Sequence, residues 1–186
     1  KVTTHIHDLA MQEGKFEIAV AAKEMPGKTG KDELTFLFTA NLGEPIRPLL
    51  KVASGGELSR VALAIKTVLL NASGVPTMVF DEIDTGVGGV TAQKMAEKIA
   101  VIAKVGQVLC ITHLPQIASF ADRHLLIRKE STGGRTSTGL TVLDEEGRIQ
   151  ELMRMTVGDN VSEVAYANAK ELLAAAGKKK KARQAL

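Results

Sequence analysis

A single cysteine, Cys110, is the only thiol in this chain, so no intrachain disulfide can form. That suits a reducing compartment. Aromatic residues make up only 3% of the sequence, with no tryptophan, which argues against a platform that stacks single-stranded bases. No apolar run approaches the roughly 20 residues needed to span a bilayer. No charged-then-apolar leader opens the chain, so nothing in it points to secretion. The four histidines are too scattered for a zinc site. His5 and His7 stand two apart, have no further ligand candidates nearby, and read as exposed histidines at a helix end.

The 186 residues, 45% of them hydrophobic, can build a core, and suit one domain or a domain plus a small appendage. The net charge of +3 is concentrated at the end. Lys178, Lys179, Lys180, Lys181 and Arg183 supply five positive charges, and without them the balance is 19 basic against 21 acidic residues. The body of the chain is therefore not a basic nucleic-acid module by composition. The first residue is Lys1 rather than Met, which leads us to expect an N-terminal portion beyond it.

Segments 16–22 and 34–40 read as two strands joined across Gly27-Lys28-Thr29-Gly30, a β-hairpin with Phe36 and Phe38 on one face. From Glu57 to about Asn71 the pattern turns helical, with Leu58, Ala62, Ile65 and Leu69 as its apolar stripe. Thr77–Phe80 is a short, continuously apolar strand of the buried type. Gly86, Gly88 and Gly89 make a loop, 91–104 a helix and 108–111 a second buried strand. A third strand is expected to start over 124–127, a mobile Ser/Thr/Gly loop over 131–139, a strand over 140–143 and a helix over 161–176. Helices alternating with short buried strands predict a parallel α/β sheet. Ligands of such sheets bind at the carboxyl ends of the strands, which directs attention to Asp81, Glu82 and His113.

Three motifs lie there. Ser54-Gly55-Gly56-Glu57 stands at the mouth of a helix, where two glycines allow an anion close to backbone N–H groups. An ordinary serine N-cap would look the same. Met78-Val79-Phe80-Asp81-Glu82 ends an apolar strand in two carboxylates, one suited to a metal shell and one to polarising water. A strand running into an acidic turn is the plainer alternative. Cys110-Ile111-Thr112-His113 ends a strand in a histidine able to reach a phosphate, or simply to bond a neighbouring turn. The order is more specific than any one motif: 27 residues separate Ser54 from Asp81, and 31 separate Glu82 from His113.

In that order and spacing the sequence resembles the ABC ATPases, whose signature motif, Walker B motif and switch histidine follow one another in this way. The longer phrases, Lys51-Val52-Ala53-Ser54-Gly55-Gly56-Glu57-Leu58-Ser59-Arg60, Phe80-Asp81-Glu82-Ile83-Asp84-Thr85-Gly86 and Ile111-Thr112-His113-Leu114-Pro115-Gln116, resemble the SMC-like branch that serves DNA double-strand break repair. The resemblance covers roughly residues 12–170.

It implies an α/β fold, the C-terminal lobe of a P-loop ATPase head of ABC/SMC type, carrying an N-terminal β-hairpin. Residues 1–11 would end a coiled-coil arm, 12–176 form the lobe, and 177–186 a disordered basic tail. Ser54, Gly55, Gly56 and Glu57 would touch ATP held by a second, identical head. Asp81 would act on Mg²⁺ through water, Glu82 would be the general base and His113 the switch. ATP and Mg²⁺ would be the cofactors, DNA a partner, the membrane not one, and the bacterial cytoplasm and its nucleoid the location.

Two departures stand out. The loop after Glu82 in many ABC proteins ends in an aspartate that couples the two sites; here Asp84-Thr85-Gly86-Val87-Gly88 follows, with glycine in its place. A Walker A loop is also missing. Gly27-Lys28-Thr29 fails as one, because Ala22 stands where the first glycine belongs and a hairpin turn is the wrong setting. The lobe that grips the β-phosphate is thus expected elsewhere. A transporter's nucleotide-binding subunit shares all three motifs, but Ile83-Asp84 follows Glu82 here, as in SMC-like proteins, where transporters usually have Pro-Thr. A non-catalytic interaction module is a third reading, opposed by the intact Asp81-Glu82 pair.

Overall fold

The computed structural model describes residues 1–69, 76–132 and 135–182. They form two compact units, 1–112 and 113–186. The first begins with the short helix α1 (Val2–His7), whose Ile6 is fully buried. Just past it, Asp8 accepts from Lys94 and Lys98 at 3.1 Å each, which clips this end of the chain to a later helix, α4 (Gly89–Ile102).

Two strands follow, β1 (Lys15–Gly27) and β2 (Gly30–Thr39), paired antiparallel as expected. Lys28 and Thr29 are their turn, so Gly27-Lys28-Thr29 is part of a hairpin and opens no helix. β2 also pairs with the two-residue β3 (Arg47–Pro48), which leads into α2 (Leu49–Val52). Directly opposed residues share a face, so Phe16, Ile18, Val20, Leu34, Phe36 and Phe38 make one apolar surface. Phe38 is buried at its base, and the rings of Phe16 and Phe36 lie 5.6 Å apart, yet Ile18, Val20 and Leu34 are more than half exposed.

α3 (Gly55–Val68) differs from expectation in the face it buries; Asn71, its expected end, lies outside the described residues. Gly56, Arg60, Val61, Leu63 and Ala64 point inward, whereas Leu58, Ala62 and Ile65 are only half-buried and Leu69 is exposed. Leu58, Ala62, Ile65 and Leu69 make one apolar stripe and Val61, Leu63 and Ala64 another, so periodicity alone offers two, and a buried arginine disguises the chosen one. α4 packs a regular stripe inward through Ala92, Met95, Ala96, Ile99 and Ile102.

β4 (Thr77–Phe80) and β5 (Gln107–Cys110) pair in parallel. Phe80 is buried, but Val79, Leu109 and Ile111, on the other face, are exposed. Parallel sheets are normally covered on both sides, so the expectation of a fully buried strand holds for one face only.

The second unit starts at His113 and runs through α5 (Pro115–Ala118), with proline at the helix start. β6 (Leu125–Thr132) and β7 (Arg135–Val142) form an antiparallel pair, so the expected third strand does not continue the parallel sheet. Most of the expected loop over 131–139 is strand; its Ser and Thr residues suit a pleated ladder. α6 (Glu145–Val157) has no counterpart in the sequence reading. Its Ile149, Leu152 and Met153 pack on Ala165 and Ala169 of α7 (Glu163–Ala182). α7 does not fray at Ala176. Lysine is a good helix former, and Lys180 donates to the Phe120 carbonyl at 3.1 Å and pairs with Asp122, which carries the helix on to Ala182. Arg183 lies outside the described residues. No helix among the described residues is long and apolar enough to cross a membrane.

Candidate functional site

Ser54 caps α3. Its Oγ accepts from the Glu57 N–H at 3.3 Å, and the Glu57 carboxylate accepts from the Ser54 N–H at 2.8 Å, which completes a reciprocal capping box. The Ser54 carbonyl accepts from the Leu58 N–H at 2.8 Å. Within the first turn this leaves the Gly55 and Gly56 amides with no carbonyl of their own helix to bond, since no helix supplies partners to its first N–H groups. The serine cap and the anion-ready turn are therefore one structure. Glu57 helps shape the turn, and its carboxylate is held on the Ser54 backbone.

Gly56 is a glycine for lack of room. A Cβ there would lie 3.2 Å from the Glu82 carbonyl oxygen, 3.3 Å from Arg60 Nη1 and 3.4 Å from Thr85 Cβ. Gly56→Ala is expected to lower stability by about 1–3 kcal/mol, the usual cost of one methyl too many in a packed site. Thermal unfolding of the variant checks it, and an unchanged midpoint would show the loop to be compliant.

Asp81 and Glu82 follow β4 directly, and both are exposed. The Asp81 carbonyl accepts from Ser59 Oγ at 3.4 Å. Glu82 has φ +56°, a left-handed conformation costly for a residue with a side chain. Its side chain turns toward the start of α3: a Cβ built on Gly55 would lie 3.7 Å from Glu82 Oε2. A carboxylate beside a helix N-terminus is favourably placed. The structure thus brings Glu82 to the glycine turn of its own chain.

The loop after Glu82 is anchored from two sides. Arg60 is buried, and its Nη1 donates to the carbonyls of Ile83 at 3.4 Å and Thr85 at 3.0 Å. Burial pushes the Arg60 guanidinium below its usual pKa, against the pull of the Glu57 charge. Asp84 is buried between those carbonyls in sequence and accepts from Thr112 Oγ1 at 2.5 Å. Gly86, at φ +72°, holds a left-handed conformation that glycine adopts without strain. Arg60, Asp84 and Thr112 were not singled out in the sequence. The one signal for Arg60 was its place on the face of α3 that carries Leu63 and Ala64.

Cys110 is held as the thiol rather than the thiolate. Burial pushes its thiol up to about 12, and the charges of Asp84 and Asp81 act the same way. His113, exposed, is the first residue of the second unit, so the grouping described here comprises Ser54–Glu57, Asp81 and Glu82 without it. His5 and His7 are at the end of α1 as expected. His5 is not bare, however: its Nδ1 lies 2.6 Å from Lys98 Nζ. No three His, Cys, Asp or Glu side chains converge to hold a metal among the described residues.

The fold is that of part of an SMC-type head domain. The Smc head domain with a coiled coil and joint from Pyrococcus yayanosii superposes with a TM-score of 0.57 at 20% identity, over 83% of this chain and 28% of that one. A second Smc head, from Pyrococcus furiosus, gives 0.50 at 21% identity, over 82% and 37%. No protein-family model matches the chain.

In sequence the chain is similar to proteins named DNA repair protein RecN. It is 45% identical to the one from Treponema pallidum over 182 residues, 95% of this chain and 32% of that protein. It is 50% identical to RecN of Bacillus subtilis over 144 residues, 77% and 25%. The chain thus spans about a third of the length of the curated relatives it matches, as a C-terminal part of a RecN head would.

Proposed function

We propose that this chain is the signature and Walker B lobe of an ATPase head, and that the complete protein binds and hydrolyses ATP when two heads engage, in the service of DNA double-strand break repair. The observation that carries the reading is the joining of a glycine-rich, capped helix start to the loop that follows Asp81-Glu82 by one buried arginine. The names of the RecN relatives support the biological setting. A transporter subunit finds no support among them.

In this reading Ser54, Gly55 and Gly56 meet the γ-phosphate held by the partner head. Glu57 holds the turn in shape. Asp81 acts on Mg²⁺ through water; such an ion is held by one or two carboxylates together with phosphate oxygens, which suits two adjacent exposed carboxylates. Glu82 accepts the proton of the attacking water, and His113 senses the γ-phosphate. Mg²⁺, when bound, would neutralise charge developing on the phosphates.

The apolar surfaces support a missing partner lobe. The hairpin face through Ile18, Val20, Leu34 and Phe36 is open, and so are Val79, Leu109 and Ile111 on the parallel sheet. Surfaces of this kind mark interaction sites, and the lobe carrying the Walker A loop is the occupant we assign to them. DNA, a cytoplasmic location and a role for the basic end of α7 on phosphates belong to the same proposal.

The test is direct. The 186-residue chain alone is expected to show negligible ATP turnover, because phosphoryl transfer needs the phosphates positioned as well as the water. The complete protein is expected to show Mg²⁺-dependent turnover. Robust turnover by the chain alone, abolished by Glu82→Gln, would overturn the assignment of the phosphate-gripping lobe to another segment.

A further inference from the structure

We propose that Arg60 is a positioning residue that couples the start of α3 to the loop carrying Glu82, so that an anion docking at Ser54–Gly56 alters the geometry of the base. The proposal rests on the ATPase reading above and adds a link between its two sites.

Arg60 lies on the same helix as the glycine turn, and a helix moves as a rigid element over so short a distance. Its guanidinium is buried, and Nη1 holds two backbone carbonyls, those of Ile83 and Thr85. Those carbonyls flank Asp84, which Thr112 holds from the end of β5. The stretch 83–85 is therefore gripped by a helix on one side and a strand end on the other. Glu82 stands at the edge of that grip in a strained conformation, with its carbonyl close to Gly56 and its carboxylate close to Gly55. A displacement of the α3 start is transmitted to the Glu82 backbone through Arg60 and through the Gly56 contact.

An apolar side chain of similar length would fill the space of Arg60 without burying a charge. It could not hold two carbonyls. The Nη1 amino group of the guanidinium, with two N–H donors, can. With the signature serving the partner's nucleotide and Glu82 its own, Arg60 makes one site answer to the other.

The experiment uses the complete protein with Arg60→Met and Arg60→Lys. We expect affinity for a fluorescent ATP analogue within about twofold of wild type, ATP-induced dimers by light scattering, and a similar unfolding midpoint. We expect kcat to fall about tenfold or more for Arg60→Met, since small misplacements of catalytic groups cost that much, and less for Arg60→Lys, which can hold one carbonyl. Amide exchange at 82–85 should slow on engagement in wild type and fail to slow in Arg60→Met, while exchange at the start of α3 slows in both. An unchanged kcat overturns the proposal. So does a kcat that falls only in step with dimerisation and unfolding midpoint, which would make Arg60 a packing residue. Absence of ATP turnover in the wild-type protein would instead sink the ATPase reading beneath it.

Discussion

Glu82→Gln in the complete protein is expected to bind ATP, to hydrolyse it on the order of 100-fold more slowly or worse, and to accumulate as an engaged dimer. The amide keeps the shape of the side chain but cannot accept a proton, and a positioned general base contributes about 10²–10⁴-fold. The site makes this a clean substitution. Glu82 is exposed, so no packing is lost, and the loop behind it is held through Ile83, Asp84 and Thr85 rather than through its carboxylate. The left-handed backbone at 82 is as accessible to glutamine as to glutamate. Binding should survive because we assign the phosphate grip to the other lobe. Light scattering and steady-state turnover read the two halves of the expectation. A monomer that turns over ATP at the normal rate would remove Glu82 from the role of base.

The motifs were legible because each sits at a junction that sequence marks well. Ser54 reads as a serine N-cap in the sequence, and the structure bears that out, with Glu57 completing a capping box. Thr77–Phe80 is a strand with the expected bounds, and the hairpin is where its turn residues put it. What escaped needed three dimensions. Arg60 looks like an exposed cation on an amphipathic helix until the loop at 83–85 is folded over it. The inward face of α3 could not be chosen from period alone, since two apolar stripes compete on it. Helix α6 was missed although Asp144 at its N-cap, Glu145 and Glu146 in its first turn and Gly158 at its end are all sequence signals. Its Gly147 and polar residues diluted the stripe of Ile149, Leu152 and Met153. The lysines of α7 were read as a solvated run because the acceptors of Lys180, at Phe120 and Asp122, lie about sixty residues away in sequence.

The largest question left by the geometry is which nucleotide the glycine turn serves, because Glu82 approaches Gly55 of its own chain. A cis site would use both together. A trans site would treat the contact as a resting one, with a carboxylate occupying the positive end of α3 until a partner's γ-phosphate takes its place. Ser54→Arg tests this. It puts a bulky side chain where the phosphate must meet the backbone, so the variant should bind ATP normally and fail in both engagement and hydrolysis. Mixed with Glu82→Gln, it distinguishes the two geometries. With the signature in trans and the base in cis, both lesions fall in the composite site of the Glu82→Gln subunit, and the other site is intact. Turnover should then reappear in the mixture, up to about half the wild-type rate per dimer if the sites fire independently. With the signature in cis, each site carries one lesion and no activity returns. A mixture as inactive as its components would leave a cis site or obligate firing of both sites together. A crosslink from Ser54 to a photoreactive ATP analogue separates these: label on the subunit whose own Walker A lobe holds the analogue means cis, and label on its partner means trans.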